Sequence, residues 1–270
     1  MVNDGTEGAA RVADVLLLFT DGPSPIGVSE VARRLGLSKA VVHRILRTLV
    51  DRRLLATDPL TRGYQLGSAA AAIGARGLRE SELRRVALPF LRRLQAATGE
   101  TTTLSAPVAA GRVYLAQVES LNEIKMTVEL GRRFPLHAGS SSRAILAFMA
   151  AEEQQEVLDT ELAALTGATI IDPQRLRASL DEVRRRGFAQ SGGERQPGAG
   201  AVAAPLFGLG GAVVGAISVC GPVSRMTAQR CAELVPQVCE VADRISVELG
   251  WRGGLPDAEP AAARRTAAGP

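Results

Sequence analysis

Four side chains able to donate to phosphates or base edges occur within nine residues of this chain, namely Lys39, His43, Arg44 and Arg47. Their spacing places them on the face of a helix opposite an apolar stripe formed by Val42, Ile45, Leu46 and Leu49. From position 28 to 67 there are eight Lys/Arg and three Asp/Glu, a clear local excess of positive charge. Because lysine and arginine neutralise DNA phosphates, the pattern predicts a DNA-contacting helix. The alternative is a charged, solvated helix face without a partner.

The elements that must position this helix form a predicted winged helix-turn-helix. A preceding helix carries apolar residues at helical spacing from Val28 to Leu35 and ends at Gly36, and Ser38 is a suitable N-cap for the basic helix. Strands at 54–56 and 64–66, joined by a turn rich in Pro, Asp and Gly, predict a β-hairpin wing. An earlier helix, roughly 10–19, would complete the core.

A second chemical motif is the run Gly139-Ser140-Ser141-Ser142 before an apolar helix. Free backbone N–H groups and hydroxyls at a helix N-terminus form an anion site suited to a carboxylate. The alternative is an ordinary N-cap serine with no ligand.

Composition narrows the class of protein. The 270 residues have ordinary globular values, a net charge of +4, and no apolar run of membrane-spanning length. The acidic N-terminus lacks a signal-peptide pattern, so we expect a cytosolic protein. Three cysteines without metal-ligand spacing and two histidines predict neither a metal site nor a cofactor.

The remaining chain predicts a linker and a second domain. We expect the DNA-binding domain at 9–67, a helical linker at 68–97 that breaks near Gly77, a sheet-and-helix domain at 98–250, and a disordered tail at 251–270. Strands are expected at 101–108, 112–118, 123–129, 201–207 and 212–220, and helices at 141–150, 151–159, 173–186 and 227–249. The second domain is therefore predicted to be an antiparallel sheet flanked by helices.

These motifs resemble the IclR family of bacterial transcriptional regulators along nearly the whole chain. The matching segments include LSKAVVHRILRTLVDRRLL, GYQLG, GRRFPLHAGSSSRAILAF, PGAGAVAAPLF and AISVCGPVSRMT. The resemblance implies an α+β protein: an N-terminal winged helix-turn-helix domain joined by a helical linker to a C-terminal GAF-like α/β effector-binding domain. It further implies homodimers or homotetramers that repress or activate operons, often for the catabolism of small organic acids.

The predicted DNA interface combines the basic helix with its N-cap and the wing. Its members are Ser38, Lys39, Ala40, Val41, His43, Arg44, Arg47, Thr61, Arg62 and Tyr64. Where the family usually has Ser-Thr, this chain has Ala40-Val41, which removes two hydroxyls and offers an apolar contact for a thymine methyl. The family's operator sequence is therefore not transferable.

The resemblance also implies an effector pocket in the second domain. Its expected members are Met126, Phe134, Ser140, Ser141, Ser191, Ala199, Ala201, Ser218 and Cys220. In the loop after Phe188, usually acidic in the family, only Glu194 is acidic, and Ala201 replaces a frequent cysteine. These departures predict a roomier, less negative pocket that suits a larger or more apolar acid.

The sequence raises three possible functions. We expect a sequence-specific transcriptional regulator, in particular a repressor, that binds a palindromic operator in double-stranded DNA and responds to a carboxylic acid. An architectural DNA-binding protein with an unresponsive ligand domain is the alternative. An enzyme is disfavoured, because the serine run lacks the final Gly of a nucleophile elbow and the glycine-rich segment 207–215 precedes a strand instead of a helix.

Overall fold

The computed structural model describes residues 4–21 and 24–253, which divide into two compact units near Ser81. The first unit contains α1 (Asp4–Leu18), α2 (Val28–Leu35), α3 (Lys39–Asp51), β1 (Leu55–Thr57), β2 (Tyr64–Leu66) and α4 (Ser68–Glu80). The second contains α5 (Glu82–Thr98), β3 (Thr101–Val108), β4 (Gly111–Val118), β5 (Arg133–Phe134), α6 (Ser140–Leu146), α7 (Ala151–Asp159), α8 (Pro173–Arg186), β6 (Ala189–Gly192), β7 (Ala199–Phe207), β8 (Val213–Pro222) and α9 (Ala228–Glu248). Of the tail predicted at 251–270, residues 251–253 are described, and the Trp251 ring stacks on that of Phe207 with 4.8 Å between the centroids; the rest lies outside the described residues.

The first unit is the expected winged helix-turn-helix. Gly36 ends α2 in the left-handed conformation, with φ of 64°, and lets the chain turn directly into α3. The Ser38 hydroxyl accepts a hydrogen bond from the Val41 N–H at 3.4 Å and caps α3. The apolar stripe of α3 is buried against α1 and α2, and β1 and β2 pair antiparallel as the wing.

The second unit is a six-stranded antiparallel sheet between two layers of helices. The strand order is β5-β4-β3-β8-β7-β6. One face carries α5 and α9, whose apolar residues pack with Leu104 and Ile217 in one core cluster. The other face carries α6, α7 and α8 around Ile145 and Leu180. Alternate residues of one strand therefore face different layers.

Several predicted boundaries differ from the structure. The first helix begins at Asp4 instead of near residue 10, β1 is shifted by one residue, and the helical break after α4 falls at Ser81 instead of Gly77. The strand β6 was not predicted. Apart from the missed strand β6, these differences shift the ends of predicted elements by one to six residues.

The strand predicted at 123–129 is wrong. The segment is irregular, and its backbone groups are bound by side chains: the Thr101 hydroxyl donates to the Met126 carbonyl at 2.7 Å, and the Gln117 side-chain oxygen accepts from the Val128 N–H at 2.9 Å. These bonds replace those of a sheet ladder. The edge strand β5 instead forms at Arg133–Phe134.

No helix in the described ranges, 4–21 and 24–253, is long and apolar enough to cross a membrane.

Candidate nucleic-acid interface and ligand cavity

The outer face of α3 is solvent-exposed along its length. Ala40 and the four predicted donors from Lys39 to Arg47 are exposed, as is the N-cap Ser38, whereas Val41 is half-buried. The amphipathic pattern causes this arrangement, because Val42, Ile45, Leu46 and Leu49 turn the opposite face into the core. The structure thus presents the predicted helix residues together on one accessible surface.

The cations of α3 differ from those of α2 in their ion pairing. On α2, Arg33 donates to Glu30 at 2.6 and 3.0 Å, and Arg34 donates to the same carboxylate at 2.6 Å. These contacts, with that of Arg33 the larger, lower the pKa of Glu30 to about 2. Among the described residues, the side chains of Lys39, Arg44 and Arg47 have no such partner. They can therefore meet an external anion without first breaking an ion pair.

The three predicted residues of the wing differ in their surroundings. Arg62 is exposed at the turn, with φ of 56°. The Thr61 hydroxyl donates to Asp58 at 2.9 Å and accepts from the Gly63 N–H, so it serves the turn itself. Tyr64 is half-buried against the core, and its backbone exchanges two hydrogen bonds with Ile26. Sequence reasoning gave all three the same role, and the geometry separates them.

A small cavity in the second unit lies among β4, β7, β8, the start of α6 and the β6–β7 connection, and its volume is about 40 Å³. Eight of the nine predicted effector residues line it: Met126, Ser140, Ser141, Ser191, Ala199, Ala201, Ser218 and Cys220. The ninth, Phe134, does not line the cavity but packs edge-to-face on Tyr114, which does, at 5.4 Å between ring centroids. Side chains that the sequence interpretation missed include Arg112, Tyr114, Arg195 and Gln196.

Arg112 is the largest of these missed groups, and only 1% of it is exposed. Its Nε donates to the Ser142 hydroxyl at 2.7 Å, and its two terminal nitrogens donate to the Ser105 hydroxyl and the Tyr114 phenol at 3.0 Å each. Burial lowers the pKa of this guanidinium from its ordinary value, but arginine keeps its charge at neutral pH. Its position on the inward face of β4, beside Tyr114, was the sequence signal that could have identified it.

Glu194 lines the cavity, but its carboxylate is already bound. It accepts from Arg143 at 2.8 Å and from the Gly139 N–H at 3.0 Å. Burial raises the pKa of Glu194, and the charge of Arg143 opposes that rise. Arg143 also donates to the Gln190 carbonyl and to Ser179. The pair therefore fastens the β6–β7 connection to α6.

The geometry corrects part of the anion site that was expected at the start of α6. The Gly139 N–H at the start of α6 is not free, since Glu194 occupies it, and the Ser142 hydroxyl donates to the Pro135 carbonyl. The cavity itself is small, and the long side chains of Arg112 and Arg195 line it together with the small residues. Cys220 adds no charge, because burial raises the pKa of its thiol to about 12.

Two family models match the chain. The description "IclR helix-turn-helix domain" matches residues 8–59, and "Bacterial transcriptional regulator IclR C-terminal" matches residues 75–247. Together they span both units.

Curated relatives and solved structures agree with these matches. The HTH-type transcriptional regulator BhcR of Paracoccus denitrificans is 34% identical over 92% of this chain and 89% of its own length. The HTH-type transcriptional repressor AllR of Klebsiella pneumoniae is 30% identical over 92% of each chain. The fold is similar to that of an IclR transcriptional regulator from Silicibacter sp. TM1040, with a TM-score of 0.81, 30% identity, and coverage of 92% of this chain and 98% of that one. An IclR homologue from Microbacterium hydrocarbonoxydans, solved with 4-hydroxybenzoate, has a TM-score of 0.66, 27% identity, and coverage of 90% and 98%.

Proposed function

Because the chain belongs to the IclR family of bacterial transcriptional regulators and carries its DNA-binding domain, we propose that it is a repressor controlled by a small anionic effector. Binding of the effector in the cavity of the second unit changes the affinity for an operator. The observation that carries this proposal is a small, polar, positively charged cavity in the domain that follows the DNA-binding unit.

On the DNA side, α3 is the recognition helix of the proposed complex. Lys39 and His43 lie in its first two turns, from which side chains reach base edges in the major groove. Arg44 and Arg47, with Arg62 of the wing, neutralise phosphates. Ala40 and Val41 give an apolar surface for a thymine methyl.

The remaining predicted contacts have supporting roles. Ser38 caps α3 and lies where a phosphate would approach the first turn. Thr61 fixes the turn that carries Arg62, and Tyr64 holds the base of the wing on the core. Substitution of these residues is expected to act through geometry more than through lost contacts.

We propose a symmetric dimer, alone or paired into a tetramer, as the DNA-bound form. A palindromic operator would present two half-sites one helical turn apart, about 34 Å, to the two recognition helices. An effector that binds one arrangement of the protein better than another shifts the population toward it and so changes DNA affinity.

DNase I footprinting of the DNA upstream of the gene, with and without a panel of short carboxylic acids, tests the proposal. We expect a palindromic footprint whose midpoint concentration one acid shifts by about 5- to 150-fold. The Ser141→Leu variant, which fills the cavity, should keep the footprint and lose the shift, whereas the matched variant Ser224→Leu at an exposed position should retain both. A footprint that no acid alters would indicate an architectural protein and overturn the proposal.

A further inference from the structure

Two guanidinium groups face the same small cavity. Arg112 reaches it from β4, and Arg195 reaches it from the β6–β7 connection. Both stack on the same pair of aromatic rings: the Arg112 guanidinium carbon lies 4.3 Å from the Tyr114 centroid, and that of Arg195 lies 4.8 Å from the Phe134 centroid. The shared rings hold the two cations on one side of the cavity.

The charge of Arg112 is not neutralised by its partners. Its three hydrogen bonds go to uncharged hydroxyls, on Ser105, Tyr114 and Ser142, and use three of its five N–H groups. Within the described part of the chain, no carboxylate lies within ion-pair distance of Arg112 or of Arg195. A buried cation without a counter-charge lowers the free energy of unfolding, and a ligand with a negative charge can offset this cost.

The nearby carboxylates are held by other arginines. Glu194 is bound by Arg143, and Glu100 accepts two hydrogen bonds from Arg225, at 2.5 and 2.9 Å. Burial is the main reason for the lowered pKa of Arg112, and the like charge of Arg195 acts in the same direction. The cavity therefore has two positive charges that its own acidic residues leave uncompensated.

The cavity volume limits how far apart the charges of a ligand can be. The cavity volume of about 40 Å³ is the space that the lining side chains leave free, and it holds a ligand of only a few heavy atoms. We propose that this cavity selects a compact dianion, with two negative charges on a few atoms, and that Arg112 and Arg195 each bind one of them. This inference rests on the effector role proposed above and names the charge class of the effector. A short dicarboxylate and an inorganic oxyanion share this chemistry.

Isothermal titration calorimetry on the full chain, in chloride buffer free of phosphate, tests the charge requirement. Oxalate and its monoamide oxamate have nearly the same shape but differ by one charge, and malonate and its monoamide form a second pair. We expect each diacid to bind at least about tenfold more tightly than its monoamide, because charge-assisted bonds to two guanidinium groups replace one. Sulfate is titrated in parallel, and tighter binding than that of either diacid would identify an inorganic oxyanion as the source.

Arg195→Gln is the decisive variant, because Arg195 is half-exposed and its loss leaves the buried core intact. The preference for the diacid over the monoamide should fall to near unity. Arg132→Gln is the matched control, since Arg132 stacks on the same Phe134 ring at 5.3 Å but is paired with Glu129 and does not line the cavity. It should keep the full preference. Circular dichroism of both variants confirms that they fold.

The outcomes separate this inference from the proposed function. Equal binding of diacid and monoamide, a preference that survives Arg195→Gln, or no binding by any dianion overturns the dianion inference. If a monoanion such as oxamate then shifts the DNA footprint, the effector-controlled regulator still stands. If a dianion binds with the expected preference but no ligand shifts the footprint, the proposed control of DNA binding by an effector fails, and the assignment of the two charges in the cavity stands.

Discussion

Replacing Arg44 by Ala should change the salt dependence of DNA binding by a predictable amount. Four exposed Lys/Arg, at positions 39, 44, 47 and 62, face solvent on α3 and the wing, without an ion pair in the described structure. If each neutralises one phosphate, a bound dimer makes eight contacts, and the slope of log K against log salt is about −7. Arg44→Ala removes two of these contacts and makes the slope shallower by about 2.

The slope converts directly into affinity losses that can be measured. Between 50 and 200 mM salt, roughly a fourfold change, the unaltered protein should lose about ten-thousandfold in affinity and the Arg44→Ala protein about a thousandfold. Fluorescence anisotropy with a labelled duplex of random sequence suffices, because the electrostatic part of binding does not depend on sequence.

Arg33→Ala provides the control for total charge. It removes the same charge from the exposed part of α2, but from an arginine that Glu30 already binds. Its slope should match that of the unaltered protein. If Arg33→Ala and Arg44→Ala flatten the slope equally, net charge governs binding and the assignment of α3 is refuted. If neither variant flattens the slope, the assignment of α3 is also refuted.

Two further predictions concern stability and are checked by chemical denaturation. Arg143→Met should lower the free energy of unfolding by about 3 kcal/mol at pH 8, because it leaves the buried Glu194 carboxylate without its cation. The loss of stability should shrink as the pH falls, because the pKa of Glu194 is raised in the folded state and protonation of this carboxylate then favours folding. An equal loss at pH 5 and pH 8 would contradict this reasoning. As a control, Arg244→Met, in the exposed ion pair with Glu240, should cost less than about 0.5 kcal/mol. Gly67→Ala should cost about 1–3 kcal/mol, since a Cβ there would lie 2.3 Å from the Arg53 carbonyl oxygen. Gly77→Ala in α4, with nothing within 4 Å of its Cβ, should instead stabilise by about 0.5–1 kcal/mol, and a similar cost at both sites would refute the steric argument.

The sequence was most informative where local chemistry determines structure. The apolar spacing in α2 and α3, the turn at Gly36 and the N-cap Ser38 each depend on residues a few positions apart, and all are as predicted. The segment at 123–129 was mispredicted because its backbone partners, Thr101 and Gln117, are distant in sequence. Local composition cannot show that such long-range bonds replace a ladder.

The cavity shows the same division between local and long-range information. Resemblance located the small residues and the serines, but the charges come from Arg112 and Arg195, which are 83 positions apart. Each looks like an ordinary surface arginine in its own segment. Their common aromatic neighbours, Tyr114 and Phe134, become apparent only when β4 and β5 pair.

The two arginines of the cavity differ in how firmly the surrounding structure holds them. Arg112 is part of an interior strand, anchored by three hydroxyls, and cannot shift without disturbing the sheet. Arg195 lies half-exposed in the connection between β6 and β7, which Glu194 ties to α6, so its side chain is more easily exchanged than the loop is lengthened. In the proposed site, ligand preference can therefore be altered by substitution at one loop position, while the sheet supplies a fixed point of attachment.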